Sequence, residues 1–263
     1  MTRTIERLLL ACGTEDAILP PTALFNEGWL LRLILEHLAE PEFIGEILAP
    51  ADGGHWFSEG LLPSHFLARN RGDHLAETWT HADGVVGHFN VSWAGRSEVT
   101  LVTTATQFVI VEAKLGSGLS PGTIRAPFYN QAARNIACIA EVLHRAGVTP
   151  KSVARLGFFV VAPTSQIGKA VSRDLLSKVS VRATVEKRVA MYAGTANELE
   201  KRAWFESAFL PLLDAITIEA LSWEDILDRI VRLTPKAAPA LLDFYKQCLA
   251  FNRVPPPNTA ARS

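Results

Sequence analysis

The segment Phe108-Val109-Ile110-Val111-Glu112-Ala113-Lys114 is an apolar run that ends in Glu-x-Lys. Side chains alternate across a strand, so Glu112 and Lys114 share one face while Ala113 points away. Phe108 and Ile110 share the Glu112 face and Val109 and Val111 fill the other, the pattern of a central strand buried on both sides. Upstream, His81-Ala82-Asp83-Gly84-Val85-Val86 carries a second carboxylate into another apolar run; downstream, Asn130-Gln131-Ala132-Ala133-Arg134-Asn135 opens a helix. Two carboxylates and a lysine suit phosphodiester hydrolysis. Magnesium is a hard cation that one or two carboxylates plus substrate phosphate can hold. It acidifies water and neutralises developing charge. A lysine beside it can orient the attacking water, assist its deprotonation or stabilise the transition state.

Glu-x-Lys alone occurs by chance, and a strand ending in charge is an ordinary way for a strand to leave the core. The meaning lies in the whole set, with Asp83 at a strand entry, Glu112 and Lys114 at a buried strand's end, and Gln131 early on the next helix. This ordering resembles the PD-(D/E)XK nuclease superfamily, over roughly Leu24 to Pro163. The resemblance implies a restriction-endonuclease-like fold in which Asp83, Glu112 and the Ala113 carbonyl bind Mg²⁺, with Mn²⁺ as a substitute. Lys114 would act on the water, Gln131 would fill the polar position on the following helix, and Glu27 would be the acid of the first helix that helps hold metal ligands. Ala82 replaces the proline that usually precedes the aspartate, and the long interval from Asp83 to Glu112 is expected to hold an extra hairpin turning near Trp93–Ser97.

The positioning elements follow from periodicity. From Leu24 to Leu38 the apolar stripe runs through Leu30, Leu31, Ile34 and Leu38, and counting back by three or four lands on Glu27. An inward carboxylate there wants a cation, a hydrogen-bond network or a metal; a wet one is simply favoured by the helix dipole. Tyr129, Ala132, Ala133, Ile136, Ile139, Ala140 and Leu143 stripe the second helix, leaving Gln131, Arg134, Asn135 and Cys138 on a neighbouring face. There Gln131 could position Lys114 or a phosphate, and Arg134 could grip phosphate bidentately.

Composition sets the limits. The 263 residues, 48% hydrophobic, supply a sizeable core. No apolar run approaches a bilayer's span, and the N-terminal residues do not make a secretory signal. Three dispersed cysteines with no Cys-x-x-Cys pair argue for a reducing cytoplasm and against zinc or an iron–sulfur cluster. A net charge of −1 requires any phosphate-binding charge to be local. Arg69-Asn70-Arg71 before the first catalytic strand offers it. So does the stretch from Ser165 to Ala190, where Lys169, Arg173, Lys178, Arg182, Lys187 and Arg188 face only Asp174 and Glu186.

The expected fold is α/β, a restriction-endonuclease-like mixed sheet flanked by helices over 1–163. A mainly helical part over 164–254 packs on the same core, and 255–263 form a disordered tail. Helical structure is expected through about Leu48, then an irregular stretch in which Trp56, Phe57, Ser58 and Glu59 form a substrate-facing loop. Strands are expected near Leu75–Thr80, Ala82–Val91, Val99–Thr103, Phe108–Glu112, Leu156–Val161 and Ile216–Leu221, and Ser222 as an N-cap. Three readings remain. One is a Mg²⁺-dependent nuclease, DNA ahead of RNA, with a place in bacterial defence or repair suggested only by how the family is used. The second is a silent nuclease fold that binds nucleic acid or an unknown partner protein. The third is an α/β protein whose motif is accidental. Cutting both strands of a duplex would most simply use a homodimer.

Overall fold

The computed structural model describes residues 11, 12, 14, 18–68, 72–92, 97–236 and 238–254. Arg69, Arg71, the turn residues 93–96 and the tail 255–263 lie outside them. A seven-stranded sheet in the order β3-β4-β1-β2-β5-β6-β7 forms the middle layer. Its strands are β1 His55–Leu62, β2 Thr80–Gly87, β3 Phe89–Ser92, β4 Glu98–Leu101, β5 Gln107–Ala113, β6 Arg155–Ala162 and β7 Thr217–Ser222. β1, β2 and β5 are antiparallel to one another in turn, and β5, β6 and β7 run parallel, so the sheet is mixed. β7 joins the C-terminal part of the chain to that same sheet.

Helices cover both faces. Helix α1, Glu27–Leu38, is capped by Asn26, whose side chain accepts from Trp29 N, and it buries Leu30, Leu31, Ile34, Leu35 and Leu38. These pack with Val109, Val111 and Ala113 of β5. Helix α2, Gln131–Ala146, is capped by Asn130 and ends at Gly147 in the left-handed conformation. Its apolar stripe packs with Phe108 and Ile110 on the opposite face. Every residue of β5 is buried, as its two-sided apolar pattern requires. Helices α3 Lys178–Ala190, α4 Glu198–Trp204 and α5 Leu210–Ala215 follow, with a π-turn, Phe205–Phe209, between the last two. Helix α6, Trp223–Leu233, starts at the expected Ser222 cap, and α7 spans Ala238–Phe251. Among the described residues no helix is long and apolar enough to cross a membrane.

Three expectations need correction. The stretch around Trp56–Glu59 is not a loop but strand β1, with Phe57 packing toward one core and Trp56 toward the other. The polar Ser58-Glu59 and Gly60 obscured its alternation. Residues 75–79 form no strand; a lone bridge joins Leu67 to Glu77. Side chains take the backbone groups that a ladder would need. Asp73 caps Leu75 N, Arg188 donates to Leu75 O, and Arg125 donates to the carbonyls of Asp73 and Ala76. The run Ala82–Val91 is two strands, because Gly87 (φ 132°) turns the chain out of β2. The extra hairpin between Asp83 and Glu112 is present as β3–β4.

Gly87 tolerates no side chain, since a Cβ there would lie 2.1 Å from the Gln107 carbonyl oxygen. Gly87→Ala is expected to cost more than about 1 kcal/mol, read as a lower urea midpoint; an unchanged midpoint would refute the constraint.

Candidate active site

The last ladder pair between β2 and β5 is Gly84 with Val111, and one further step sets Asp83 against Glu112. The ladder opens there because the Asp83 side chain takes over: Ala113 N donates to Asp83 Oδ2 at 2.8 Å. Within a strand a residue's N–H and C=O point to the same side, so the Ala113 carbonyl also looks toward Asp83. On its other side the strand end is anchored by Lys114 N, which donates to Val161 O at 2.8 Å.

Glu112 is almost wholly buried, 1% exposed, and is surrounded by donors. Lys114 Nζ lies 2.7 Å from its Oε1, Gln131 Nε2 donates to the same oxygen at 2.6 Å, and Asn135 Nδ2 reaches Oε2 at 3.5 Å. Gln131 is locked in turn, because Ser120 N donates to its Oε1 at 3.0 Å and its own N donates to Ser120 O at 2.9 Å. The Trp223 indole N–H donates to the Lys114 carbonyl at 2.8 Å, which ties α6 to the Glu-x-Lys exit. Burial, and next the Asp83 charge, push Glu112 up to about 8, with Lys114 opposing them. Two adjoining carboxyls in a dry site therefore call for a proton or a cation between them.

The structure thus brings together Asp83, Glu112, Ala113, Lys114 and Gln131. Arg134, one turn further along α2, sits near the Glu77 carboxylate, and its Nε has no hydrogen-bond partner. Glu27 is not gathered with the two acids; it stands near the Cys248 thiol, which burial and that carboxylate push up to about 12. Arg69 and Arg71 lie outside the described residues. Asn135, Ser120 and Trp223 were not singled out from sequence as parts of the site. Asn135 had a signal, four residues beyond Gln131 on the same helical face. The other two arrive through the fold.

Among the described residues no group of three or more His, Cys, Asp or Glu gathers at metal distance. The donor set here is two carboxylates and one carbonyl, all hard oxygen. That set fits a cation such as Mg²⁺, which is commonly held by one or two carboxylates and completed by water and substrate oxygens. No family model, curated protein or solved structure matches this chain.

Because Glu112 binds its proton more tightly in the folded state, its contribution to stability is complete below its ordinary value of 4.5 and is lost as pH rises through about 8. Without metal, the melting temperature is expected to carry a component that falls between those limits, and Glu112→Gln should remove it. The same slope in both proteins would contradict the assignment. Asp83→Asn keeps an acceptor for Ala113 N but removes a like charge, so metal-free melting at pH 8 should rise; a fall would mean that Asp83 is chiefly a structural cap.

Proposed function

We propose that this protein is a Mg²⁺-dependent phosphodiesterase that cuts nucleic acid, DNA ahead of RNA, on a restriction-endonuclease-like core. The observation that carries the reading is the meeting of Asp83 and Glu112 across β2 and β5, with Lys114 and Gln131 both on Glu112 Oε1. It supports the reading because the acids, the lysine and the helical glutamine meet in the order that the sequence resemblance implies.

In this proposal Asp83, Glu112 and the Ala113 carbonyl hold Mg²⁺, or Mn²⁺ in its place. The bound cation supplies charge neutralisation and a more acidic water. Lys114 turns from Glu112 toward the attacking water, orients it and meets the negative charge that gathers on the phosphate oxygens. Gln131, fixed by Ser120, holds Glu112 so that the lysine can leave it. Arg134 supplies a grip on substrate phosphate. A burial-raised proton affinity at Glu112 also makes cation binding pH-dependent, since proton and metal compete for the same oxygens.

The test is cleavage of supercoiled plasmid, linear duplex and single-stranded DNA in Mg²⁺, Mn²⁺ or EDTA. Metal-dependent cutting is expected, with Lys114→Ala slower by about 10²-fold or more while nucleic-acid binding is retained. No cutting of any substrate would refute the proposal. Equal loss of binding and cutting in Lys114→Ala would reassign the lysine to a structural role.

A further inference from the structure

Continued across the sheet, the register sets three acids in one row. Ser58 pairs with Gly84 and Gly60 with Ala82, so Glu59 of β1 stands opposite Asp83, which in turn stands opposite Glu112. Neighbouring strands lie about 4.8 Å apart, so the row spans about 10 Å. By alternation Glu59 would share the face of Phe57, which packs toward α2 as Glu112 does. Its φ of 59° breaks that alternation. The carboxylate, 53% exposed, turns instead to Arg32 of α1, whose Nη2 lies 3.2 Å from its Oε1.

Arg32 is held firmly at this rim. Its Nε donates to Ser58 Oγ at 2.9 Å, and its guanidinium lies 5.1 Å from the centre of the Trp29 ring, an indole that is itself 38% exposed. These contacts use Nε, Nη2 and one flat face, and leave Nη1 without a partner among the described residues. A fixed guanidinium with an open edge suits phosphate oxygens. The need for such a group is set by charge. The chain carries a net charge of −1, so affinity for a polyanion depends on local cations. The basic run from Ser165 to Ala190 supplies fewer than its count, because Arg188 is buried and Lys178 and Lys187 are engaged within the protein.

We propose that Arg32 binds a backbone phosphate flanking the scissile one, with Ser58, Glu59 and Trp29 as its positioning contacts. The inference rests on the nuclease reading for the identity of the polymer, and it names where the strand leaves the site, along the row from Glu112 and Asp83 to β1. Pairing with Arg32 also keeps the Glu59 carboxylate off the α2 face, where a third negative charge would oppose the approach of phosphate.

The experiment measures, by fluorescence anisotropy, how the Lys114→Ala protein binds a labelled DNA duplex in Mg²⁺ at several salt concentrations, with strand integrity checked afterwards. One phosphate contact contributes about 0.9 to the slope of log K against log salt on duplex DNA. Adding Arg32→Ala is therefore expected to weaken binding and lower the slope by about that amount, while Arg32→Lys, which keeps the charge, is expected to keep the slope. Arg202 of α4, paired with Glu198 on the opposite side of the sheet, controls for net charge, and Arg202→Ala is expected to leave the slope unchanged. An unchanged slope in Arg32→Ala, or an equal fall in Arg202→Ala, overturns the proposal. Should Arg32→Ala melt early, Glu59→Gln decides: it frees Arg32 from its carboxylate, so tighter binding is expected, and unchanged or weaker binding overturns the proposal. Metal-dependent cutting with an unchanged slope refutes the role of Arg32 alone; the expected fall in slope in a protein that cuts nothing refutes the nuclease reading alone.

Discussion

Glu112 is a carboxylate at the end of a strand with no solvent on either face, and the surrounding fold is organised around keeping it there. Desolvating a carboxylate costs several kcal/mol unless cations and donors compensate. Here the compensation comes from three side chains: Lys114 just past the strand's end, and Gln131 and Asn135 from the helix behind it. Each compensating group is then held by something else, Gln131 by Ser120, Asn135 by the Gln131 carbonyl, and the Lys114 backbone by Val161 and Trp223. The site is therefore a chain of dependencies that runs from β5 to α2 on one side and to β6 and α6 on the other. Asp83 adds a like charge to this arrangement, which, after burial, raises the proton affinity of Glu112 further.

The segment between β1 and β2 shows the same economy of buried charge. Arg188 and Lys201, both 1% exposed, reach from the C-terminal helices into it, Arg188 onto the Leu75 carbonyl and Lys201 onto the His65 carbonyl. Arg188 also lies over the rings of Phe66, Tyr129 and Tyr192, so its desolvation is offset partly by cation–π attraction. His65 stacks flat on Trp204 with centroids 4.5 Å apart and bridges Glu141 and Glu200 at 2.9 and 3.1 Å. The C-terminal half of the chain thus fixes the path of the backbone that delivers β2, and with it Asp83. Basic residues that read from sequence as a phosphate-facing run are in part committed within the protein: Arg188 is buried, and on the surface Lys187 lies 4.1 Å from the Phe128 ring centre and Lys178 donates to the Asp214 carbonyl.

Local pattern made much of the scaffold legible. The two-faced apolar run of β5, the stripe of α1, the stripe of α2 and the Ser222 cap all follow from side-chain periodicity and backbone capping, which act over a few residues. β1 was hidden because Glu59 stands in mid-strand with φ 59°, a conformation uncommon for a non-glycine residue. It lies opposite Asp83 in the continued register, and its carboxylate is paired with Arg32 of α1 at 3.2 Å. A strand that carries such a residue presents no clean alternation, and only its pairing with β2 identifies it.

Sequence alone determined that a carboxylate and a lysine leave a buried strand on one face, that an aspartate enters a neighbouring apolar run, and that a glutamine opens the next helix. These are properties of spacing, and spacing survives in any fold that keeps the elements. The tertiary structure decided which of those groups meet. Cross-strand register set Asp83 against Glu112. Helix placement put Gln131 and Asn135 on Glu112, while Glu27, on a helix that packs against the other face of the sheet, was left beside Cys248. The difference is one of range, because periodicity is written in neighbouring residues, whereas a buried charge finds its partners wherever the packed chain brings donors into reach.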